Sequence, residues 1–579
     1  MCMNDLIIRN GKIVDGTGKP AFIGDIAIKD GKISAIGDIS AAATKTINAK
    51  GQLIAPGWVD VHSHMDGQAT WDPLCSPAAN HGITTIIMGN CGIGFAPCAP
   101  TAEARDQLIS VCEDVEDIPG AALHEGITWE WESFPEYLNA LEKFPRAIDI
   151  GAQVPHCAVR TYVMGERGLN NEQATTDDVT KMKEIVKDGI NAGALGFTTS
   201  RTELHTTRLA QAMPGTYADE SELLGIGEAI GELGKGIYGV VSDWTNWQQE
   251  MDWMKKLSID NNCQINFILF FRSESDWTQV VQQLAYVKEA AKQGARLIPH
   301  VGARPVNLLL SWESTVHPFS FNPCFAELSI MEPKDRLVRL NDPEFRKAIL
   351  AEAAPLMGDD FMDTIIAGWD KLYELGSPPN YEPGPEDSIA AMAKAAGVSP
   401  PEYAYNVMMK NNGKNVIYFP CFGYGSGDLS RQQDMLEDEN SVISLADTGA
   451  HCGVLSDASV PTFMLTHFVR DRTRGKKFDL EWTVKLHTHD TARCVGLEDR
   501  GTLEVGMKAD INIIDFDKLE VDSPQIINDL PAGGRRMFQG AQGYTATIVS
   551  GEVIMENGAY TGAVPGRLIR GTQAAPAAH

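Results

Sequence analysis

The sequence predicts an α/β protein: a (β/α)8 TIM-type barrel with a small β-sandwich built from both chain termini. Three patterns predict it. Short β-branched runs alternate with helical periodicity through the middle of the chain, polar residues collect at the ends of those runs, and the two termini share a different, strand-only texture.

Within residues 1–55, β-type runs at 6–14 and 25–33 are broken by Gly turns. Residues 501–579 repeat that style, with a run at 509–515 and a hairpin signal at Ser550-Gly551. Neither end has enough strands to bury a sheet face alone, so the two are expected to build one domain. The Ala- and Pro-rich stretch 572–578 reads as a flexible tail.

Residues 56–500 read as the barrel. Candidate strands end at His62/His64, Cys91, His156, Ser200-Arg201, Asp243, Arg272, His300 and Asp447 (the last run over 442–446). Helical runs at 177–192, 220–233 and 278–293 stop at Gly193, Gly234 and Gly294. Residues 301–440 lose the alternation and are rich in Pro, Gly and acids, which predicts helical insertions and loops over the mouth. In a barrel of this type the side chains at the carboxyl ends of the strands converge, so residues hundreds of positions apart can surround one ion.

Composition narrows the function classes. With 579 residues and 43% hydrophobic content the chain can bury a large core, and 49 basic against 77 acidic residues give a formal charge of −28. That charge repels nucleic acid and anionic membranes, so neither is expected as a partner. The start Met1-Cys2-Met3-Asn4 lacks the basic and apolar regions of a secretory signal, and the 11 cysteines show no paired CxxC spacing. A reduced, cytoplasmic protein is expected, with homo-oligomerisation left open. No apolar run approaches the ~20 residues of a membrane span.

The most informative stretch is Pro56-Gly57-Trp58-Val59-Asp60-Val61-His62-Ser63-His64, because period-two alternation sends both imidazoles to one face of a strand end. There they can chelate a metal ion. A His-x-His pair alone is weak evidence, but only 13 histidines exist and several others fall at strand ends. A metal ion of this kind lowers the pKa of water to about 7 and polarises a carbonyl, while a neighbouring carboxylate carries the proton. Asp447 is the candidate carboxylate.

Three further segments carry a family resemblance: Gly89-Asn90-Cys91-Gly92-Ile93-Gly94 with Ala96-Pro97, Ala446-Asp447-Thr448-Gly449-Ala450-His451, and Gly501-Thr502-Leu503 to Ala509-Asp510. Together with the His-x-His segment they resemble the amidohydrolase superfamily, and the Gly-Asn-Cys-Gly element resembles its N-acyl-D-amino-acid deacylase branch. The resemblance implies metal-assisted hydrolysis of an amide with zinc as the usual ion. By match of motif it places His62, His64 and Asp447 at the metal and Cys91 where the branch has a thiolate ligand.

The chain also departs from that branch, which takes two more histidine ligands from the fifth and sixth strands. No histidine lies between His205 and His300; those positions hold Val241-Ser242-Asp243 and Phe270-Phe271-Arg272. Either His62, His64, Asp447 and Cys91 hold one ion, or Asp243 and His300 replace the missing ligands, or metal is weak or absent. One zinc ion is expected.

The expected partner is a small amide, an N-acylated D-amino acid or similar. The alternatives are a cyclic-amide hydrolase on the same barrel and a metal-depleted binding protein. An acylated amino acid carries a carboxylate, so Arg160, Arg201, Arg272 and Arg304, with His156, are the candidate substrate-binding groups. Each has a plainer reading: the arginines pair with acids, His156 and His300 pack, Cys91 fills core, and Asp243 caps a helix. Asp66 either orients His64 or is a loop acid, and Trp244, Trp247 and Trp253 either line an acyl pocket or pack in the core.

Overall fold

In the computed structural model, residues 3–207, 211–444 and 446–577 are described. Met1 and Cys2 of the N-terminal reading, Leu445 of the last expected strand and Ala578 of the tail lie outside them.

The middle of the chain supplies a run of parallel strands in two sheets. The three-stranded sheet holds β1 (Trp58–Asp60), β2 (Ile83–Met88) and β3 (Asp149–Ala152). The six-stranded sheet begins at Val154–Pro155, one residue past β3, and continues through β4 (Gly196–Arg201), β5 (Ile237–Ser242), β6 (Gln264–Ile268), β7 (Arg296–Val301) and β8 (Val442–Ile443). These strands are short and β-branched, and β2 (ITTIIM) is buried at every position, as a parallel strand covered on both faces requires. β8 is shorter than the expected run.

Helices cross between strands where the periodicity predicted them. Thr176–Ala192 starts at a capping box of Thr175 and Asp178, Glu220–Leu233 is capped by Asp219, and both end at a positive-φ glycine, Gly193 and Gly234. Trp277–Lys292 covers the third predicted run. Among the described residues, no helix is long and apolar enough to cross a membrane.

Both termini enter one nine-stranded sheet. Its seam is the antiparallel pair Leu53–Pro56 with Ile511–Ile514, and alternate residues from both ends (Ile8, Ile28, Ile54, Ile511, Ile513, Ile548) share one core. Hydrogen bonding runs unbroken through this sheet, and the turn at Gly31 meets the turn at Ser550 from strands several places away in its order. The tail is bonded further than expected, since the Gln573 N–H donates to Gly496 O at 2.9 Å.

Two excursions surround the carboxyl ends of the strands. Residues between β7 and β8 form five helices from Pro333–Leu340 to Pro400–Gly413 and a small sheet with Val306–Leu310. They have a separate core around Trp312, Phe319, Phe325 and Tyr405, so this insertion is a packed unit and not only loops. The second excursion was not foreseen. A hairpin, Gln525–Leu530 paired with Gly534–Phe538, leaves the terminal sheet and bonds to the β8 loop through Met537 N–H to Cys452 O, 2.6 Å.

Candidate active site

Just beyond β1, the chain turns so that His62 and His64 face one another with ring centroids 5.5 Å apart. Buried Asp60 fixes this turn: its carboxylate accepts the His62 N–H at 3.0 Å and the Thr448 hydroxyl at 2.7 Å, tying β1 to the loop after β8. The His64 N–H also donates to Thr448 O, 2.8 Å.

The Gly-Asn-Cys-Gly segment is a tight turn after β2. Gly89 sits at φ +80°, and a Cβ there would lie 2.3 Å from Gln153 O, so only glycine fits. Asn90 then bonds Ile87 O at 2.8 Å and receives Gln153 at 3.0 Å. This bracing holds Cys91 at φ +52°, a left-handed conformation unusual for a residue with a side chain, and aims its Sγ at His62 Nε2, 3.3 Å away.

His62, His64 and Cys91 each offer a ligand atom within 4.8 Å of the others, all buried. Asp447 joins them: its Oδ1 lies 3.8 Å from His62 Nε2 and 3.4 Å from His64 Nε2. That oxygen is buried with no hydrogen-bond partner, a condition proteins avoid unless something else satisfies the atom. Two imidazoles, a thiol and an orphaned carboxylate oxygen form a nitrogen, sulfur and oxygen donor set of the kind zinc takes.

Burial dominates the electrostatics. It pushes Asp447 and the Cys91 thiol well above their ordinary ranges, with Asp457 and Asp60 adding to the first and Asp447 and Glu116 to the second. It draws His62 down to about 3, helped by His300 and His205, and draws His64 well below its ordinary value, helped by His62, His451 and His205. The imidazoles are neutral and free to act as ligands.

One group here escaped sequence reasoning. Glu116, 1% exposed at the end of helix Ala102–Glu116, brings Oε1 to 3.1 Å from His64 Nδ1. The contact is close but not aligned as a hydrogen bond, and Glu116 Oε2 is likewise unpartnered. A signal was present: with Leu108, Cys112 and Val115, Glu116 falls on the buried stripe of its helix, where an acid is out of place.

The other predicted site residues lie elsewhere or are committed. Asp243 is not among the cluster; it accepts from Thr202 Oγ1 at 2.5 Å and Glu203 N–H at 2.6 Å and pairs with Arg272. His300 lines the same cavity as His62, but its nitrogens meet Ser444 Oγ at 3.1 Å and Cys494 Sγ at 3.4 Å. His156 and Arg160 are fully buried and share Glu222 Oε1, at 3.0 and 2.9 Å, so they brace helix Glu220–Leu233 against helix His156–Met164.

Arg201 pairs with Glu250 at 2.8 Å, and Arg304 lies buried against Asp457 at 2.6 Å, its guanidinium 4.1 Å from the Tyr381 ring centre. All four arginines expected at a substrate carboxylate thus spend their charge on acids of the chain. Asp66 accepts the Gly89 N–H at 3.0 Å and so steadies the Cys91 turn instead of His64. Trp244 and Trp253 are core residues, and Trp247 packs on Tyr286.

The profile of the amidohydrolase family matches residues 45–555, and the chain belongs to that family, hydrolases of carbon–nitrogen bonds. A D-aminoacylase of Alcaligenes xylosoxydans xylosoxydans is 31% identical over 196 residues, 34% of this chain and 37% of that enzyme. An uncharacterized protein of Mycobacterium tuberculosis is 25% identical over 96% of this chain and 93% of its own. In fold, a D-aminoacylase crystal structure matches with a TM-score of 0.65 at 20% identity, over 98% of this chain and 100% of that one. An N-acyl-D-glutamate deacylase from Bordetella bronchiseptica, complexed with zinc and a phosphonate inhibitor, matches with a TM-score of 0.64 at 20% identity and the same coverage.

Proposed function

We propose that this protein is a zinc-dependent hydrolase that cleaves the amide bond of an N-acylated amino acid. The observation that carries the reading is the meeting of His62, His64, Cys91 and the unpartnered Asp447 Oδ1. Similarity to D-aminoacylase and to the zinc-bound deacylase supports the choice of bond and ion. We further infer that the two parallel sheets are arcs of one eight-stranded barrel, joined by the Val154–Pro155 continuation of β3 and by a parallel bridge between Ser63 and Thr448.

His62, His64, Cys91 and Asp447 are the residues that would hold the ion. Bound zinc supplies Lewis-acid activation of water and of the scissile carbonyl. The protein supplies orientation and a proton path. With Oδ1 turned to the imidazoles, Asp447 Oδ2 takes the proton from the attacking water and returns it to the leaving nitrogen. Glu116 Oε1, 3.1 Å from His64 Nδ1, is near enough to accept a hydrogen bond from that nitrogen once the ring holds the ion through Nε2. A reducing compartment such as the cytoplasm suits the chain, whose described cysteines are all free thiols.

The test is hydrolysis of a panel of N-acyl-D- and L-amino acids beside cyclic imides, before and after chelation. Zinc-dependent release of free amino acid is expected. Turnover of cyclic imides alone would shift the reading to a cyclic-amide hydrolase, and binding without turnover would end it.

A further inference from the structure

The turn that presents His62 depends on Asp60, whose carboxylate accepts the His62 N–H and the Thr448 hydroxyl. Trp58 and Asp60 are two residues apart on β1 and so share a face, while Val59 and Val61 take the other and pack with Ile87 and Leu195. A segment remote in sequence covers the Trp58–Asp60 face. It is the π-helical turn Leu486–Asp490, whose His487 meets the Trp58 ring edge-on with centroids 6.1 Å apart. Trp58 is itself held, its Nε1–H donating to the Tyr544 hydroxyl at 3.1 Å. π-Helical turns are rare and recur at functional sites.

His487 is buried, and its Nε2 has no hydrogen-bond partner among the described residues. Beside it, between β1, β8 and the π-helical turn, lies a cavity of about 20 Å³, room for a single water. Asp60, Ser444, His487 and Thr491 supply its polar wall. A carboxylate offers about four lone-pair sites, more than the Asp60 bonds to His62 and Thr448 use. The Thr491 hydroxyl donates to Thr488 O at 3.2 Å, which leaves its oxygen free to accept. A buried imidazole nitrogen without a partner is costly unless something completes it. A water between that nitrogen and the carboxylate finds the two to four partners that hold buried water in place.

We propose that one buried water fills this cavity and bridges His487 Nε2 to the Asp60 carboxylate, which makes His487 a positioning residue for the His62 turn. The water takes no part in the chemistry. It gives Asp60 an anchor on the π-helical side, so that the carboxylate keeps its orientation and with it both the His62 N–H and the Thr448 hydroxyl. Those two bonds tie β1 to the loop after β8 and so fix the spacing between His62 and Asp447, the neighbour of Thr448. The effect on zinc rests on the zinc-hydrolase reading above, whereas the water site does not.

Two measurements test it. In crystals of the unmutated protein a water should lie within hydrogen-bond distance of both His487 Nε2 and an Asp60 carboxylate oxygen. A dry cavity, or a water bonded to only one of the two, would overturn the proposal. Zinc affinity, read by competition with a chromophoric chelator, should fall about tenfold in His487→Leu, which keeps the bulk and loses the nitrogen. It should stay within about threefold of the parent in His487→Gln, whose amide restores a polar atom there. Equal affinity in the parent and the leucine variant, or an equal loss in both variants, would overturn the positioning role. Should the leucine variant not fold, or the parent bind no zinc, the crystallographic arm still decides the site; in the second case it is the zinc reading that fails.

Discussion

The two sides of the parallel-strand assembly treat charge in opposite ways. Beyond β3 to β6, every charged residue expected at the mouth has a partner: Arg201 with Glu250, Asp243 with Arg272, and Arg160 and His156 with Glu222. In the cluster beyond β1, β2 and β8, three ionisable side chains each keep a buried atom without one, His64 Nδ1, Glu116 Oε2 and Asp447 Oδ1. Buried polar groups left open cost about 1–3 kcal/mol each, so a protein keeps them where a ligand completes the site. On the proposed function, the paired side is scaffold and the unpaired side carries the chemistry.

The sharpest way to break this comparison is Asp447→Asn. We expect kcat to fall by roughly 10³-fold or more, in the range for losing a proton-transferring group, with the melting temperature of the metal-free protein kept or raised because an unpartnered buried carboxyl is gone. Near-normal turnover would remove Asp447 from its role. Next in size, Glu116→Gln should weaken zinc affinity about 10–100-fold, measured by competition with a chromophoric chelator. An unchanged affinity would make Glu116 a passive neighbour of His64.

On the paired side the effects shrink. Arg272→Met breaks the link to Asp243, but with Arg272 43% exposed the cost is expected within ~1 kcal/mol of stability, and kcat within about threefold. A large kcat loss would move substrate binding to this side and erase the distinction.

A subtler check uses His81, held by Thr462 Oγ1 and Gln539 O at 2.9 Å each. Burial lowers its pKa to about 4, so the unfolded chain binds a proton that the folded one refuses between pH ~6.5 and ~4. Its contribution is complete above pH 6.5 and is lost as pH falls, at no more than about 1.4 kcal/mol per pH unit. Asp60 and Asp66, raised to about 7 by burial, act with the opposite sign, losing their contribution as pH rises toward 7. The readout is therefore the difference between proteins: the stability of His81→Gln relative to the parent should rise as pH falls from 6.5 to 4. Parallel slopes would contradict the buried, neutral assignment.

What was legible in the sequence were features written in a few adjacent residues. His62 and His64, the Gly89–Gly92 turn with Cys91, and Asp447 in its loop each declared themselves locally, as did the helices that end at Gly193 and Gly234. The arginines misled because their partners are remote: Glu250 lies 49 residues from Arg201, Glu222 lies 62 from Arg160, and Asp457 lies 153 from Arg304. Nothing local distinguishes a committed guanidinium from a free one. The hairpin at 525–538 has the same alternation as the sheet it leaves, so only tertiary packing reveals its move to the β8 loop.

Metal content and activity measured on the same preparation test the central claim most directly. Protein purified without added metal should carry one zinc per chain and lose it together with amide hydrolysis in Cys91→Ser or under chelation, with both restored by zinc in the parent. Full activity in protein carrying far less than one metal ion per chain would contradict the account.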